Sequence, residues 1–308
     1  MIANKSARRV TVLSLLYFLS SSSLLVLNKI AITAIPNASL LLLVQIASTV
    51  FFVAAPAICG TEQVNFRPKR CVIYAYSTVA VVFLATIYSN FRVIHAVGVN
   101  PFIVIRCSTP LMVAGLDWAF MGRALPNKMS LIALLGMFSF GTAYAYLKLG
   151  GDITAVASVR HQPGTKWCIW WLLFFLLDMI YIKYIVEKYK CSGSERTLYQ
   201  NALALPILVI FLVLDFEEGG IPAAFAASLW TYIAVTLTCV AGAVLSYTGM
   251  SLRSELSATV FTVLGISCKM ASTLLNEVFV EPERNFSCLM CITAVILCSS
   301  VYRQAPLR

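Results

Sequence analysis

The sequence is poor in the residues that soluble domains and enzymes use at their surfaces and active sites. Only 12% of its 308 residues are charged, whereas a soluble globular domain carries about 25%. It has two histidines, and it lacks a Gly-rich phosphate loop, a pair of catalytic carboxylates and a nucleophile elbow. We therefore expect neither a soluble enzyme nor a catalytic residue, a metal site or a cofactor.

Cysteine is present, but not in a pattern that suggests cross-linking. The ten cysteines lie mostly inside apolar stretches, which favours small core residues over a disulfide framework. Cys288 and Cys291 have the spacing of a redox or metal pair, yet they open an apolar stretch in a chain that is short of histidine. We expect no metal there.

Apolar residues dominate the chain. They make up 60% of it, and the mean hydropathy is +0.85. Long apolar runs separated by turn and charge signals predict an all-α integral membrane protein embedded in a lipid bilayer. We predict ten spans at 9–34, 38–59, 70–93, 99–121, 129–149, 167–187, 197–215, 226–250, 256–280 and 286–303.

The net charge of +10 reflects membrane topology rather than binding of nucleic acid. The basic residues collect at span ends in alternate loops, as positive residues do on the cytosolic side of a membrane. Ten spans return the chain to the side from which it started. We therefore expect both termini in the cytosol and the loop 150–166 on the opposite side.

The same loop divides the chain into two halves, 1–150 and 151–308, with five spans each. An odd number of spans reverses the orientation of the second half, as in transporters built from inverted repeats. Leu116-Asp-Trp-Ala-Phe120 in span four resembles Leu275-Asn-Glu-Val-Phe279 in span nine. We predict one transport domain of two inverted five-helix repeats, with the substrate near the midplane.

Span nine carries Lys269 in the middle of an apolar stretch. A lysine at that depth costs about 3 kcal/mol unless it has a partner or a wet cavity. At helical spacing Phe261 and Gly265 share its face, so this face offers a ring, a gap and a cation. Such a set suits a planar base joined to phosphates. The alternative is that Lys269 reaches the headgroups from nearer a span end.

Other polar residues of the spans are few. Arg106 is one turn into span four, and Asp117 is a candidate partner for it. Lys29 ends span one, where it either contacts substrate or reaches the headgroups. We expect Glu277 at the membrane interface. Asn201 in span seven offers a donor and an acceptor to a base edge, or else binds a neighbouring helix.

Two of these stretches resemble the motifs of one transporter family. Leu198-Tyr-Gln-Asn-Ala-Leu-Ala-Leu-Pro206 resembles the Phe-Tyr-Asn-Asn-x-Leu-Ser/Ala-Leu-Pro motif of Golgi GDP-mannose transporters. Gly265-Ile-Ser-Cys-Lys269 resembles their Gly-Ala/Ser-Leu-Asn-Lys motif. Val26-Leu-Asn-Lys29 and Arg106-Cys-Ser-Thr-Pro110 are similar to nucleotide-sugar transporters in general. The resemblance covers nearly the whole chain.

The resemblance implies the drug/metabolite transporter fold and antiport across the Golgi membrane, GDP-mannose being the first choice and GMP the counter-substrate. It implies guanine recognition in span seven and a nucleotide and phosphate site in span nine. Gln200 and Cys268 replace family asparagines, and Phe261 replaces the usual tyrosine, so the sugar and the strictness of guanine selection stay open. The predicted substrate-binding residues are Lys29, Arg106, Tyr199, Asn201, Phe261, Gly265, Cys268 and Lys269.

Two alternatives remain from the sequence. Within the same class, the substrate could be GDP-fucose, a UDP-sugar or a phosphorylated sugar. From a different class, the chain could be a membrane scaffold or an enzyme subunit that transports nothing. The expected partners are a nucleotide sugar and a nucleoside monophosphate, and a homodimer is left open.

Overall fold

The computed structural model describes residues 2–35, 37–150, 164–214, 228–279 and 285–308, except the side chains of residues 2–6, 25, 29, 100 and 214. These residues form ten helices and no strand. We number the helices α1 Ile2–Ala34, α2 Ala38–Ile58, α3 Arg70–Val97, α4 Val99–Phe120, α5 Lys128–Lys148, α6 Lys166–Lys188, α7 Gly193–Leu214, α8 Leu229–Glu255, α9 Ala258–Phe279 and α10 Phe286–Val301.

Nine of the ten described helices are long and apolar enough to cross a membrane. The tenth, α10, has 16 apolar residues and is about 24 Å long at the usual rise per residue. The prediction of an all-α integral membrane protein is confirmed. The helices follow the ten predicted spans closely, and they differ mainly by a few residues at their ends.

Short polar residues and glycines set several helix ends. Asn37 and Asn127 cap α2 and α5, each accepting a backbone N–H at 2.8 Å from the residue three positions on. Such a cap satisfies one of the N–H groups that a helix start leaves free. Gly98, between α3 and α4, has a φ of 79°. A residue with a Cβ rarely adopts that value, so glycine allows the two helices to follow each other directly.

The first of two compact units comprises Met1–Val81 and Ile185–Glu255. In this unit α8 packs against α1, α2 and α7, and α2 also packs against α7. A hydrogen bond from Gln45 Nε2 to Asn28 Oδ1, 2.7 Å long, joins α2 to α1. The unit is therefore a helical bundle arranged around α2 and α8.

The second unit comprises Val82–Tyr184 and Leu256–Arg308. In this unit α4 packs against α5 and α9, and α10 packs against α5 and α9. Its core includes the fully or almost fully buried Cys107, Leu134, Met137 and Ile292. This unit contains most of the predicted substrate-binding residues.

Helices five apart in the chain pack against each other within each unit. The first unit contains the pair α2 and α7, and the second contains α4 with α9 and α5 with α10. The helices α4 and α9 have 22 residues each, and they begin and end in the register of the Leu116–Phe120 and Leu275–Phe279 similarity. The inverted repeat itself stays a prediction. Since each unit draws on both 1–150 and 151–308, that division stays a prediction.

A carboxyl-terminal segment, residues 302–308, crosses one end of the second unit. The N–H of Ala124 donates to the carbonyl of Pro306 at 2.9 Å, and the N–H of Arg308 donates to the carbonyl of Gly122 at 2.8 Å. Burial raises the pKa of the Tyr302 phenol at the start of this segment. The segment therefore ties the α4–α5 connection to the end of α10.

Candidate functional site

The start of α9 is fixed by a buried carboxylate from α4. Asp117 Oδ2 accepts the Thr259 backbone N–H at 2.9 Å and the Thr259 hydroxyl at 2.6 Å, and Asp117 is 3% exposed. An anion at a helix start stabilises the free N–H groups there. The hypothesis that Asp117 pairs with Arg106 is wrong, because among the described residues no ion pair joins them and Arg106 contacts Asn90 and two aromatic rings instead.

The face of α9 that carries Lys269 begins with a ring and continues with open space. Phe261 is buried, and one turn later a Cβ added at Gly265 would meet no atom of the described residues within 4 Å. Lys269 follows after another turn, at the middle of the 22-residue helix, and it is half-buried. The structure therefore brings these three predicted residues onto one face with room beside it.

Cys268 is placed differently. It is fully buried, and as the neighbour of Lys269 it points about 100° away from it around the helix axis. Its hydrogen-bonding group is the backbone carbonyl, which accepts the Ser272 hydroxyl at 2.9 Å. Cys268 therefore does not share the open face of Lys269 and Gly265.

Arg106 lies in an aromatic environment in the same unit. Its guanidinium carbon is 4.4 Å from the centroid of the Phe102 ring and 5.6 Å from that of Trp171. Nη2 donates to the Asn90 side-chain oxygen, whereas Nε is buried without a hydrogen-bond partner among the described residues. The rings and the amide hold the cation in place without neutralising it.

Arg106 and Lys269 lie on α4 and α9, two helices that pack against each other. In the described part of the chain no carboxylate pairs with either. Two uncompensated cations inside membrane spans are costly, and an anion that binds both would offset that cost. This pair is the strongest chemical signal in the second unit.

Glu277 lies two residues before the end of α9, and its partner Lys148 is the last residue of α5, so its place at the membrane interface stays a prediction. Its side chain is 2% exposed, and its Oε1 lies 2.8 Å from Lys148 Nζ. The Tyr144 hydroxyl donates to the same oxygen at 2.9 Å. The ion pair joins the end of α9 to the end of α5. Sequence periodicity holds no signal for a partner 129 residues away in the chain.

The first unit holds the predicted base-reading residues on α7. The Tyr199 hydroxyl donates to the backbone carbonyl of Asn65 at 2.5 Å, and its ring lies edge-on to Tyr76 with centroids 5.6 Å apart. Tyr199 is 7% exposed. Its contacts tie the start of α7 to the α2–α3 connection, so its hydroxyl already has a structural partner.

Asn201 uses both of its amide hydrogens within the unit. Nδ2 donates to the Thr197 carbonyl at 2.7 Å and to the Ser246 hydroxyl on α8 at 2.8 Å. An asparagine amide has two donors, so its carbonyl oxygen is the group left for a ligand. Of the two alternatives for Asn201, binding to a neighbouring helix is therefore what its two N–H donors do.

Gln200 is the residue that sequence reasoning passed over. It is 5% exposed, and its Oε1 is buried without a hydrogen-bond partner among the described residues. Buried side-chain amides are nearly always satisfied. The signal in the sequence is its place in the motif, between Tyr199 and Asn201, where glutamine replaces the asparagine of the resembling family.

The last predicted residue, Lys29, has its backbone in α1, and its side chain lies outside the described residues. The first unit also contains a cavity of about 410 Å³, walled mainly by apolar side chains of α1, α2 and α8, including Leu16, Phe52 and Val244. Glu62 is the charged residue of its lining. An apolar wall with a carboxylate does not suit a diphosphate.

Two curated plant proteins are similar to the chain over nearly its whole length. "GDP-fucose transporter 1" of Arabidopsis thaliana is 28% identical over 311 residues, which cover 97% of this chain and 87% of that protein. "GDP-mannose transporter GONST3" of the same plant is 24% identical over 301 residues, covering 95% of this chain and 77% of that protein. The resemblance to nucleotide-sugar transporters is thereby confirmed, and a transporter rather than an enzyme is indicated.

A solved structure shares the fold. A chain titled "Crystal structure of protein" superposes with a TM-score of 0.67 at 13% identity, covering 96% of each chain. At that identity the likeness concerns the fold alone. No protein-family model matches the sequence.

Proposed function

We propose that this chain, a homologue of two nucleotide-sugar transporters over nearly its whole length, exchanges a GDP-sugar for GMP across the Golgi membrane. The observation that carries the proposal is that Arg106 and Lys269, on the packed helices α4 and α9, have no carboxylate partner among the described residues. A nucleoside diphosphate sugar and a nucleoside monophosphate both bring phosphate charge to such a pair, so either ligand offsets its cost.

In this proposal the second unit binds the phosphates. Lys269 contacts them as a point charge, and Arg106 contacts them through its Nε edge, which has no hydrogen-bond partner among the described residues. The open space at Gly265 admits the ligand close to the α9 backbone, and Phe261 forms a wall beside it. Cys268, which is buried on another face, supports the helix packing behind this surface.

The first unit, taken by itself, holds amide groups that match the edge of a guanine base. Guanine presents an N–H₂ donor and an O6 acceptor. The Asn201 carbonyl oxygen can accept from guanine, and the Gln200 amide, whose oxygen has no partner among the described residues, can both donate and accept. Tyr199 positions α7 for this contact. Lys29 is proposed as a substrate contact only because Val26-Leu-Asn-Lys29 resembles the corresponding stretch of nucleotide-sugar transporters.

The proposed contacts do not determine which sugar the GDP carries. The two relatives are named for GDP-fucose and GDP-mannose, which share the guanosine diphosphate group. Since the proposed contacts all concern that shared group, both sugars fit them. GDP-mannose is the first choice from the motifs, and GDP-fucose is the direct competitor.

The test is a counterflow panel with purified protein in liposomes. Vesicles loaded with GMP are offered radiolabelled GDP-mannose, GDP-fucose, a UDP-sugar and a hexose phosphate in turn. We expect uptake of at least one GDP-sugar that depends on internal GMP and no comparable uptake of the UDP-sugar. Uptake of the UDP-sugar or the hexose phosphate alone would replace the substrate, and no exchange of any of them would favour a scaffold.

A further inference from the structure

A second arginine in the second unit, Arg92 on α3, is stacked on aromatic rings and was not among the predicted site residues. Its guanidinium carbon lies 5.1 Å from the centroid of the Trp167 ring and 5.9 Å from that of Tyr88. The side chain is exposed, and among the described residues no carboxylate pairs with it. Arg92 is therefore an exposed cation near the end of α3, held in place by two aromatic rings.

Arg92 on α3 and Arg106 on α4 are connected through shared neighbours on α3 and α6. Asn90, which accepts from Arg106, precedes Arg92 by two residues on α3. Trp167 and Trp171, which contact Arg92 and Arg106 respectively, are one turn apart on α6. Trp167 also packs against the buried cluster that contains Phe102 and Trp171. The two guanidiniums thus lie at different heights on the same aromatic cluster.

The heights follow from the helix positions. Arg92 is five residues before the end of α3, about 8 Å along the axis. Arg106 is seven residues past the start of α4, about 10 Å in, and Lys269 is at the middle of α9. Both distances run from the same α3–α4 connection, so Arg92 lies only a few Å nearer that end than Arg106. Arg92 differs from the other two cations mainly in exposure, since it is exposed whereas Arg106 and Lys269 are half-buried. Among the described residues no carboxylate pairs with any of the three.

We infer that Arg92, with Tyr88 and Trp167, forms an outer anion-binding site at which a nucleotide phosphate is held before it reaches Arg106. This rests on the proposed function, since it assigns a first contact to the same nucleotide ligands. A phosphate accepts from the guanidinium, and the rings keep the guanidinium oriented for it. Uncompensated surface cations also raise the local concentration of anions, and that effect weakens with salt.

The experiment measures the GMP concentration dependence of exchange in liposomes for Arg92→Gln and Arg92→Lys, at low and at high ionic strength. At low salt we expect Arg92→Gln to raise KM about fivefold with kcat unchanged, because the inner cations are intact. The increase should shrink at high salt. Arg92→Lys keeps the charge and should lie between the wild type and Arg92→Gln.

Lys128→Gln is the matched control. Lys128 is an exposed cation of the same unit at the start of α5, beyond the far end of α4, and its removal should leave KM within about twofold. A purely structural role of Arg92 in the aromatic cluster predicts a lower Tm and lower kcat without a salt-dependent KM, and that result overturns the inference. So does an unchanged KM in Arg92→Gln. Wild-type protein that exchanges no nucleotide would instead refute the proposed function.

Discussion

Lys269 and Arg106 are the residues on which the proposed chemistry depends most. If Lys269 binds phosphate, Lys269→Ala should lower GMP exchange about tenfold or more, because a charge-assisted contact of about 1.5–3 kcal/mol is lost. The folded protein should keep its Tm, since removing a charge from a membrane span relieves a cost. Exchange assays and thermal unfolding in detergent measure the two quantities.

Lys269→Arg separates the two roles of this lysine. A planar guanidinium is larger than an ammonium group, so we expect only partial exchange in a confined site. If Lys269 merely reached the headgroups, the alanine variant would be nearly as active as the wild type and the arginine variant fully active.

Gln200 and Asn201 make a second prediction at this scale. Asn201→Ala should weaken GDP-sugar and GMP together, because both carry guanine, and should also lower Tm, because the contact with Ser246 on α8 is lost. Gln200→Met, which keeps the length of the buried side chain, should weaken both ligands with little loss of Tm, since the packing is kept and the amide oxygen has no hydrogen bond among the described residues to lose. Each lost ligand hydrogen bond should cost about 1–3 kcal/mol.

Ser246→Ala is the control for this pair. It removes the α7–α8 hydrogen bond but leaves the Asn201 carbonyl oxygen in place, so Tm should fall while nucleotide affinity changes less than in Asn201→Ala. Equal affinity losses in Ser246→Ala and Asn201→Ala would mean that Asn201 acts through helix packing alone.

At the scale of the helices, two glycines should respond oppositely to the same change. A Cβ at Gly141 on α5 would lie 2.5 Å from the buried Cys107 Sγ on α4, so Gly141→Ala should destabilise the second unit by about 1–3 kcal/mol. A Cβ at Gly265 would meet no described atom within 4 Å. Gly265→Ala should keep or raise Tm, since alanine favours the helix, and should reduce exchange by occupying ligand space.

Thermal unfolding and counterflow of the two variants test this directly. Fully active Gly265→Ala protein would show that the space beside Gly265 does not receive substrate. Loss of Tm in that variant would show instead that a neighbouring helix uses this space.

The helices were predictable because the residues that start and end them are neighbours in the sequence. Asparagine caps and glycines with positive φ lie at the breaks that composition already suggested, and the register of α4 and α9 follows a short similarity within the sequence. Partners across helices were not predictable. Asp117 caps α9 and Glu277 pairs with Lys148, and neither contact leaves a periodic or spacing signal.

For the whole molecule, membrane topology is the prediction that tests the repeat. Both termini should be accessible to protease from the cytosol, and a tag in the loop 150–166 should be protected in sealed vesicles, because basic residues concentrate on the cytosolic side. Termini on opposite sides would rule out ten crossings and the inverted repeat with them. Residues 151–163 of that loop lie outside the described residues.

The division into two units was also beyond reach of the sequence. Each unit takes its helices from separated parts of the chain, and such a choice depends on helix packing rather than on local pattern. The sequence likewise indicated individual site residues, but it did not indicate their hydrogen-bond partners. Asn201 turned out to have both donors occupied, and Gln200 to have an amide oxygen with no partner among the described residues.

The second unit is built from two separate parts of the sequence, Val82–Tyr184 and Leu256–Arg308, and this has a consequence for biosynthesis. The ribosome completes α4 and α5 roughly a hundred residues before α9 begins, a delay on the order of ten seconds at about 5–20 residues per second. During that interval Asp117 has no Thr259 to cap, and α4 stays in the bilayer without one of its packing partners. Nascent chains truncated before α9 should therefore be targets for membrane quality control, and chains extended through α10 should escape it.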